Sequence, residues 1–129
     1  MAEVRVAVAG LGKMGISHLS MIRALPGVEV VGICDTTAYL LGVLGKYTGL
    51  ATFSDFPAML DEVRPDAVII ATPSKYHAPT VRQALERGIA VFCEKPFCLD
   101  SAESKELVDL ARAKGVVTQV GYHNRFVGA

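Results

Sequence analysis

The sequence has no excess of charge of either sign and no long apolar run. It contains 13 lysines and arginines against 13 aspartates and glutamates among 129 residues, so nothing favours nucleic acid or an anionic membrane as a partner. No apolar stretch approaches the roughly 18 residues that span a bilayer. Glu3 and Arg5 interrupt the N-terminus, so we expect no signal peptide. The length of 129 residues predicts a single globular domain that is long enough to bury a core.

Cysteine is also scarce. The three cysteines are Cys34, Cys93 and Cys98, and an odd number without C-x-x-C spacing predicts neither a disulfide framework nor a zinc site. Free thiols of this kind are typical of a reducing compartment. We therefore expect a cytoplasmic protein without a bound metal.

Three glycines with the spacing G-x-G-x-x-G follow the first apolar segment. Residues 4–9 predict a buried strand, Gly10, Gly12 and Gly15 come next, and residues 16–25 have apolar side chains at helical spacing. Strand, glycine turn and helix in this order are typical of a dinucleotide-binding site. Gly10 would allow a sharp turn, Gly12 would leave room for a pyrophosphate at the helix N-terminus, and Gly15 would let the helix approach the strand. The alternative is a tight strand-to-helix turn without a ligand.

A carboxylate follows the second predicted strand. Residues 28–34 form that strand, and Asp35 comes 20 residues after Gly15, where a dinucleotide fold places an acid against the adenosine ribose hydroxyls. The alternative is that Asp35 only caps the next helix. Thr36 and Thr37 follow instead of an arginine. A 2′-phosphate would be repelled by Asp35 and would find no guanidinium nearby, which favours NAD over NADP.

The rest of the chain alternates between strand and helix patterns. Further strands are predicted at 51–53, 67–71, 89–93 and 116–120, and helices at 37–47, 78–87 and 100–114, with a short one capped by Ser54 or Asp55 and running through Leu60. About six strands separated by helices predict an α/β fold: a doubly wound, mostly parallel sheet of Rossmann type with helices on both faces.

Two loops should lie on the same rim as the glycine turn. Ligands of such sheets bind beyond the carboxyl ends of the strands, and Thr72 to His77 directly follow the strand at 67–71. His77 would either contact the cofactor or lie at the start of the helix at 78–87.

Lys95 follows the strand at 89–93 on this rim, with Pro96 stiffening the backbone beside it. A nicotinamide cofactor carries the hydride chemistry, so the protein must supply a proton acceptor for an alcohol being oxidised. Partial desolvation beside a positively charged nicotinamide would favour the neutral amine that this task needs. The alternative is a solvated surface lysine.

Taken in order, these motifs resemble one enzyme family. The motifs are Gly10-x-Gly12-x-x-Gly15, Asp35, Thr72-Pro73 with His77, Glu94-Lys95-Pro96, and the closing segment Gly121 to Phe126. Together they are similar to the N-terminal domain of the glucose–fructose oxidoreductase, inositol dehydrogenase and rhizopine catabolism (Gfo/Idh/MocA) family. The resemblance implies an NAD(P)-dependent oxidoreductase acting on a hydroxyl of a sugar, cyclitol or related polyol.

The resemblance also implies roles for individual residues. Lys95 would be catalytic, between nicotinamide and substrate, with Glu94 near the nicotinamide ribose and a cis peptide bond before Pro96. The other cofactor-binding residues would be Gly10, Gly12, Lys13, Met14, Gly15, Asp35, Thr36, Thr72, Pro73, Ser74, His77 and Asn124. Ser74 stands where family members often have asparagine, and Tyr122 and His123 depart from the usual closing segment.

Family enzymes continue into a second α/β domain that binds substrate and forms the oligomer interface. This chain would then be the dinucleotide-binding domain, residues 1–129, without that second domain. We expect such a chain to bind NAD and to turn over poorly alone, with a homo-oligomer as a possible assembly of the complete enzyme. The alternatives are a non-catalytic NAD-binding module completed by another chain, or a fold for another ligand such as S-adenosylmethionine. The latter would leave Glu94-Lys95-Pro96 unexplained.

Overall fold

Six parallel strands form one sheet in the computed structural model, which describes residues 3–122. Their spatial order is β3-β2-β1-β4-β5-β6, the classic Rossmann order. The strands are β1 (Val4–Ala9), β2 (Val28–Cys34), β3 (Thr52–Phe53), β4 (Ala67–Ile70), β5 (Ala90–Cys93) and β6 (Thr118–Val120). The predicted α/β class and doubly wound sheet are confirmed.

Helices cover both faces of this sheet. They are α1 (Lys13–Arg23), α2 (Ala38–Thr48), α3 (Phe56–Val63), α4 (His77–Glu86) and α5 (Ser101–Lys114), with a 3₁₀ turn at Ser74–Tyr76. No helix within residues 3–122 has the length and apolar character needed to cross a membrane.

Alternate residues of β1 pack into two hydrophobic cores, one on each face of the sheet. Val6 and Val8 pack on one face with Leu19 of α1 and Leu41 of α2. On the opposite face Ala7 and Ala9 pack with residues of the other three helices, among them Met59, Val81 and Leu107. This alternation is what a strand buried on both sides requires.

The strand ends are aligned across the middle of the sheet. Ala9 of β1 is opposite Ile70 of β4, and Ile70 is opposite Cys93 of β5. The loops that begin at Gly10, Ala71 and Glu94 therefore leave the sheet at one rim, and neighbouring strands are about 4.8 Å apart.

Several predicted boundaries were wrong by one to three residues. Asp55, not Ser54, caps α3: its Oδ2 accepts a hydrogen bond from the N–H of Ala58 (3.0 Å). The helix then continues past Leu60 to Val63. At the sheet edge, β6 begins two residues later than predicted.

All three cysteines are unpaired. Burial is the main reason that the pKa of Cys34 is raised to about 11 and that of Cys93 to about 12. Both thiols therefore stay protonated at neutral pH and serve as small apolar side chains.

Candidate active site

A cavity of about 780 Å³ opens at the carboxyl ends of β1 and β4. The chain leaves β1 through α1 toward β2 and leaves β4 through α4 toward β5, so the two connections diverge here. This topological switch point is where open α/β sheets bind their ligands. The wall includes eight of the predicted cofactor residues: Gly10, Gly12, Lys13, Met14, Asp35, Thr36, Thr72 and Pro73.

Gly10 and Gly15 lie where the neighbouring backbone leaves no room for a side chain. Gly10 has a φ of +91°, and a Cβ on it would lie 2.5–2.7 Å from backbone atoms of Ala71 and Thr72. A Cβ on Gly15 would lie 1.7 Å from the carbonyl oxygen of Gly10. The sharp turn predicted at Gly10 is thus observed, and α1 approaches the end of β1 at Gly15.

Gly12 is different, because nothing lies within 4 Å of the position of its Cβ. It is the N-cap of α1 and has no side-chain cap, so first-turn N–H groups are left for another acceptor. Gly12, Lys13 and Met14 line the cavity. An uncapped helix N-terminus facing open space fits a diphosphate.

Thr72 presents an orphaned polar atom in the same wall. Its Oγ1 is buried and has no hydrogen-bond partner within residues 3–122. A buried hydroxyl without a partner costs stability, and a ligand in the adjoining cavity would supply one. This hydroxyl is a second feature that fits a bound cofactor.

Asp35 ties the glycine turn to the start of α2. Its Oδ2 accepts a hydrogen bond from the N–H of Leu11 (2.7 Å), and its Oδ1 accepts one from the N–H of Thr37 (2.8 Å). Thr37 is the N-cap of α2, so Asp35 bonds the N-cap residue itself and not the first-turn N–H groups that a capping residue would bind. Each carboxylate oxygen keeps a further lone pair, and Asp35 lies in the cavity wall. A ribose contact is therefore compatible with both bonds.

The charge on Asp35 is favoured by these bonds. Partial burial by itself would raise the pKa of Asp35, but backbone hydrogen bonds, chiefly from Leu11 and Thr37, outweigh it and hold the pKa below 3.8. The unfolded state then binds the proton more tightly than the folded state. Asp35 therefore stabilises the fold above about pH 4, and this contribution is lost as the pH falls through the lowered pKa.

Glu94 and Lys95 begin the loop after β5, outside the cavity wall. One oxygen of Glu94, Oε1, accepts a hydrogen bond from Nε2 of His18 (2.6 Å), and the other, Oε2, accepts one from the backbone N–H of Lys95 (3.3 Å). Lys95 is exposed at the rim, and the peptide bond between it and Pro96 is cis, as the resemblance implies.

His77 lies beneath the site instead of in its wall. The side chain is 1% exposed and is the first residue of α4. Nδ1 lies 2.7 Å from the carbonyl oxygen of Pro96, and Nε2 lies 2.8 Å from that of Thr72. Carbonyl oxygens only accept, so the ring N–H is the donor in any hydrogen bond formed here. Both ring nitrogens of His77 face backbone carbonyl oxygens, one in the loop after β4 and one in the loop after β5, which leaves neither nitrogen free for a cofactor.

Replacing His77 with leucine should destabilise the domain by about 1–3 kcal/mol, because the partly buried carbonyl oxygens of Thr72 and Pro96 would face an apolar side chain in place of the imidazole. Urea unfolding measures this difference. Lys75→Leu is the matched control, since Lys75 is exposed two residues earlier and its replacement should change the unfolding midpoint little. Equal midpoints for wild type and His77→Leu would contradict this role for the histidine.

Two of the predicted residues remain outside these arrangements. Ser74 lies in the 3₁₀ turn, where its carbonyl oxygen accepts a hydrogen bond from the N–H of His77. Asn124 lies outside the described residues. His18 was not predicted, because a contact with Glu94 across 76 residues of sequence leaves no local pattern.

The strand order, the glycine turn and the acid after β2 define a dinucleotide-binding domain of Rossmann type. Over residues 4–122 the chain matches the model of the Gfo/Idh/MocA oxidoreductase family, described as having an NAD-binding Rossmann fold. The chain belongs to this family, and the resemblance and the NAD cofactor predicted from the sequence are confirmed.

Relatives of known activity are similar to almost the whole chain. It is 34% identical to scyllo-inositol 2-dehydrogenase (NAD(+)) of Bacillus subtilis over 96% of this chain and 37% of the relative. It is also 34% identical to D-glucoside 3-dehydrogenase of Escherichia coli, over 97% of this chain and 36% of the relative.

A solved structure shares the fold. Scyllo-inositol dehydrogenase from Lactobacillus casei, solved with NAD(H) and scyllo-inositol bound, is 26% identical and superposes with a TM-score of 0.91 over 97% of this chain and 38% of that structure. The chain thus spans little more than a third of the length of these proteins.

Proposed function

We propose that this chain is the NAD-binding part of a dehydrogenase that transfers a hydride between nicotinamide and a hydroxyl or keto carbon of a sugar, cyclitol or related polyol. The observation that carries this proposal is the alignment of Ala9, Ile70 and Cys93 at one rim. It puts the start of the Glu94–Lys95 loop two strand spacings, about 10 Å, from the glycine turn. Named relatives with inositol and glucoside activities support the substrate class.

The adenosine and diphosphate end of NAD would lie in the 780 Å³ cavity. The free N–H groups after Gly12 would bind the diphosphate, Asp35 would accept from the ribose hydroxyls, and Thr72 would gain a partner for its hydroxyl. Lys13, Met14, Thr36 and Pro73 would form the remaining contacts of the wall.

Lys95 would perform the proton transfer. When bound, nicotinamide supplies the hydride acceptor. As the alcohol carbon loses its hydride, the neutral amine of Lys95 would take the hydroxyl proton, which leaves a ketone and a lysine ammonium. Glu94 would lie beside the nicotinamide ribose at this end of the site. Ser74 and Asn124 would contribute further cofactor contacts, and His77 would hold the two neighbouring loops from below.

The substrate pocket would come from a further domain. This chain covers 36–38% of its relatives, so we propose that residues 1–129 act together with a substrate-binding domain, in a small-molecule enzyme of the cytoplasm that can form homo-oligomers. Three unpaired cysteines support a reducing compartment. A non-catalytic NAD module would share the cavity but would give Lys95 no task.

Asp35→Ala tests the cofactor part of the proposal. Wild type should bind NADH more tightly than NADPH, and the variant should bind NADH about 10-fold more weakly, because a bond to a charged acceptor is lost, and discriminate less against NADPH. Fluorescence titration with both cofactors measures this. Asp109→Ala is the control, since it removes one exposed carboxylate of α5. An unchanged preference would leave Asp35 a purely structural residue, and wild type that binds no NADH would contradict the proposed function.

A further inference from the structure

The carboxylate of Glu94 lies between His18 of α1 and Gly121, which follows β6. From α1, Nε2 of His18 donates to Oε1 at 2.6 Å, and both side chains are only about 15% exposed (15% and 14%). From β5, the ring of Phe92 meets the imidazole of His18 edge-on, with centroids 5.2 Å apart. This histidine therefore has one polar partner and one apolar partner.

Gly121, just after β6, lies close to the second oxygen of the Glu94 carboxylate. A Cβ on Gly121 would lie 3.2 Å from Oε2 of Glu94 and 3.1 Å from the ring of Phe92. There is no spare room for the carboxylate on this side. Its second oxygen accepts a hydrogen bond from the backbone N–H of Lys95. The position of the carboxylate therefore affects the backbone at the start of the loop after β5.

His18 lies in the middle of α1, and the N-terminus of the same helix carries the free N–H groups that face the cavity. His18 comes six residues after Gly12, which is about 9 Å along α1. A rigid helix thus connects the N–H groups that face the cavity to the side chain that fixes Glu94. The contact between His18 and Glu94 is a short hydrogen bond to a carboxylate in a largely water-excluded position, where such bonds are strong.

We propose that His18 is a positioning residue: through Glu94 it holds the nicotinamide end of the cofactor site in register with the diphosphate end. This inference rests on the proposed function, which places NAD across this rim. His18 itself need not touch the cofactor. It acts as a hydrogen-bond donor to the carboxylate, and its ring also packs edge-on against Phe92.

Two substitutions separate the donor from the ring. His18→Phe keeps an aromatic ring against Phe92 but removes the donor, whereas His18→Gln keeps an N–H₂ donor at similar reach and removes the ring. Each variant is titrated with NADH and with ADP-ribose, which lacks the nicotinamide. A residue that only stabilises the fold would change both affinities together.

His18→Phe should weaken NADH binding at least fivefold and leave the affinity for ADP-ribose within twofold of wild type. His18→Gln should bind both ligands nearly as wild type does. Gly121→Ala would place a Cβ 3.2 Å from Oε2 of Glu94, so that the carboxylate has to shift by a few tenths of an ångström, and it should likewise weaken NADH binding more than ADP-ribose binding. Gly121→Ala still tests the proposal if His18→Phe does not fold. Urea unfolding shows whether each variant is folded.

The inference is overturned if NADH and ADP-ribose weaken equally, if neither affinity changes, or if His18→Gln behaves like His18→Phe. These outcomes are distinct from a failure of the proposed function, in which wild type itself binds neither ligand.

Discussion

Gly12→Val should abolish NAD binding while leaving the domain folded. No atom lies within 4 Å of the Cβ position, and the φ of −72° suits any residue. Because valine is a poorer N-cap than glycine, the expected loss of stability is about 1 kcal/mol. The valine side chain would fill the space beside the free N–H groups of α1. A bulky group there should weaken NADH binding at least about 100-fold, or about 2.7 kcal/mol.

Fluorescence titration with NADH, paired with urea unfolding in the absence of cofactor, separates the two effects. Gly42→Val is the matched control: it makes the same substitution on α2, where the Cβ position is equally open, and should leave NADH binding intact. Undiminished affinity in Gly12→Val would contradict the interpretation that the diphosphate lies against bare backbone at this glycine.

The fold could be predicted because its signals are local. The segment at 4–9 is apolar except for Arg5, Gly10 adopts a positive φ, and helical spacing begins directly after the glycines, so strand, turn and helix are all encoded within some 20 residues. Residues 6–9 of β1 and 68–70 of β4 are buried, and both segments read as unbroken apolar runs. Asp35 was found by its distance in sequence from the glycines, which the fold keeps nearly constant.

The edges of the sheet were harder to predict, because edge strands are buried less and their patterns are weaker. Val117 is apolar and continues the pattern of β6, yet it is 77% exposed and lies before the strand begins. At the opposite edge, β3 pairs only through Thr52 and Phe53. The apolar pattern of a sequence indicates which residues can belong to a strand. Where the strand begins and ends depends on which neighbouring strands pair with it.

The individual side-chain contacts of two histidines could not be predicted. His18 is one of several polar side chains on α1, and nothing near it in sequence marks it as the partner of Glu94. His77 was expected either to contact the cofactor or to lie at the start of the helix, and the second position is observed, but its burial between two loops depends on where the chain returns after β5. These two histidines are fixed by topology, which brings β4, β5 and α1 together.

Lys95→Met should lower turnover by about 100-fold or more with little change in NAD affinity. Methionine keeps a side chain of similar length but removes the amine, and loss of a general base typically costs about 10²–10⁴-fold. Because Lys95 is exposed at the rim and outside the cavity wall, the adenosine and diphosphate contacts should persist. The measurement is the rate of NADH formation with a polyol substrate in a protein that joins this chain to the substrate-binding domain that we propose, alongside NADH titration of the chain itself.

Lys75→Met is the matched control, since Lys75 is an exposed lysine in the loop after β4, on the same side of the sheet, and it has no assigned task in the reaction. Its rate should stay within about twofold of wild type. If Lys95→Met also turned over normally, the amine would be no more than a solvated surface group, and the chain would be better described as an NAD-binding module without a catalytic residue of its own. A large loss confined to Lys95, with NADH affinity retained, would instead separate the chemistry of this domain from its cofactor binding. That separation follows from the geometry, because the cavity lies over β1 and β4 while the amine follows β5.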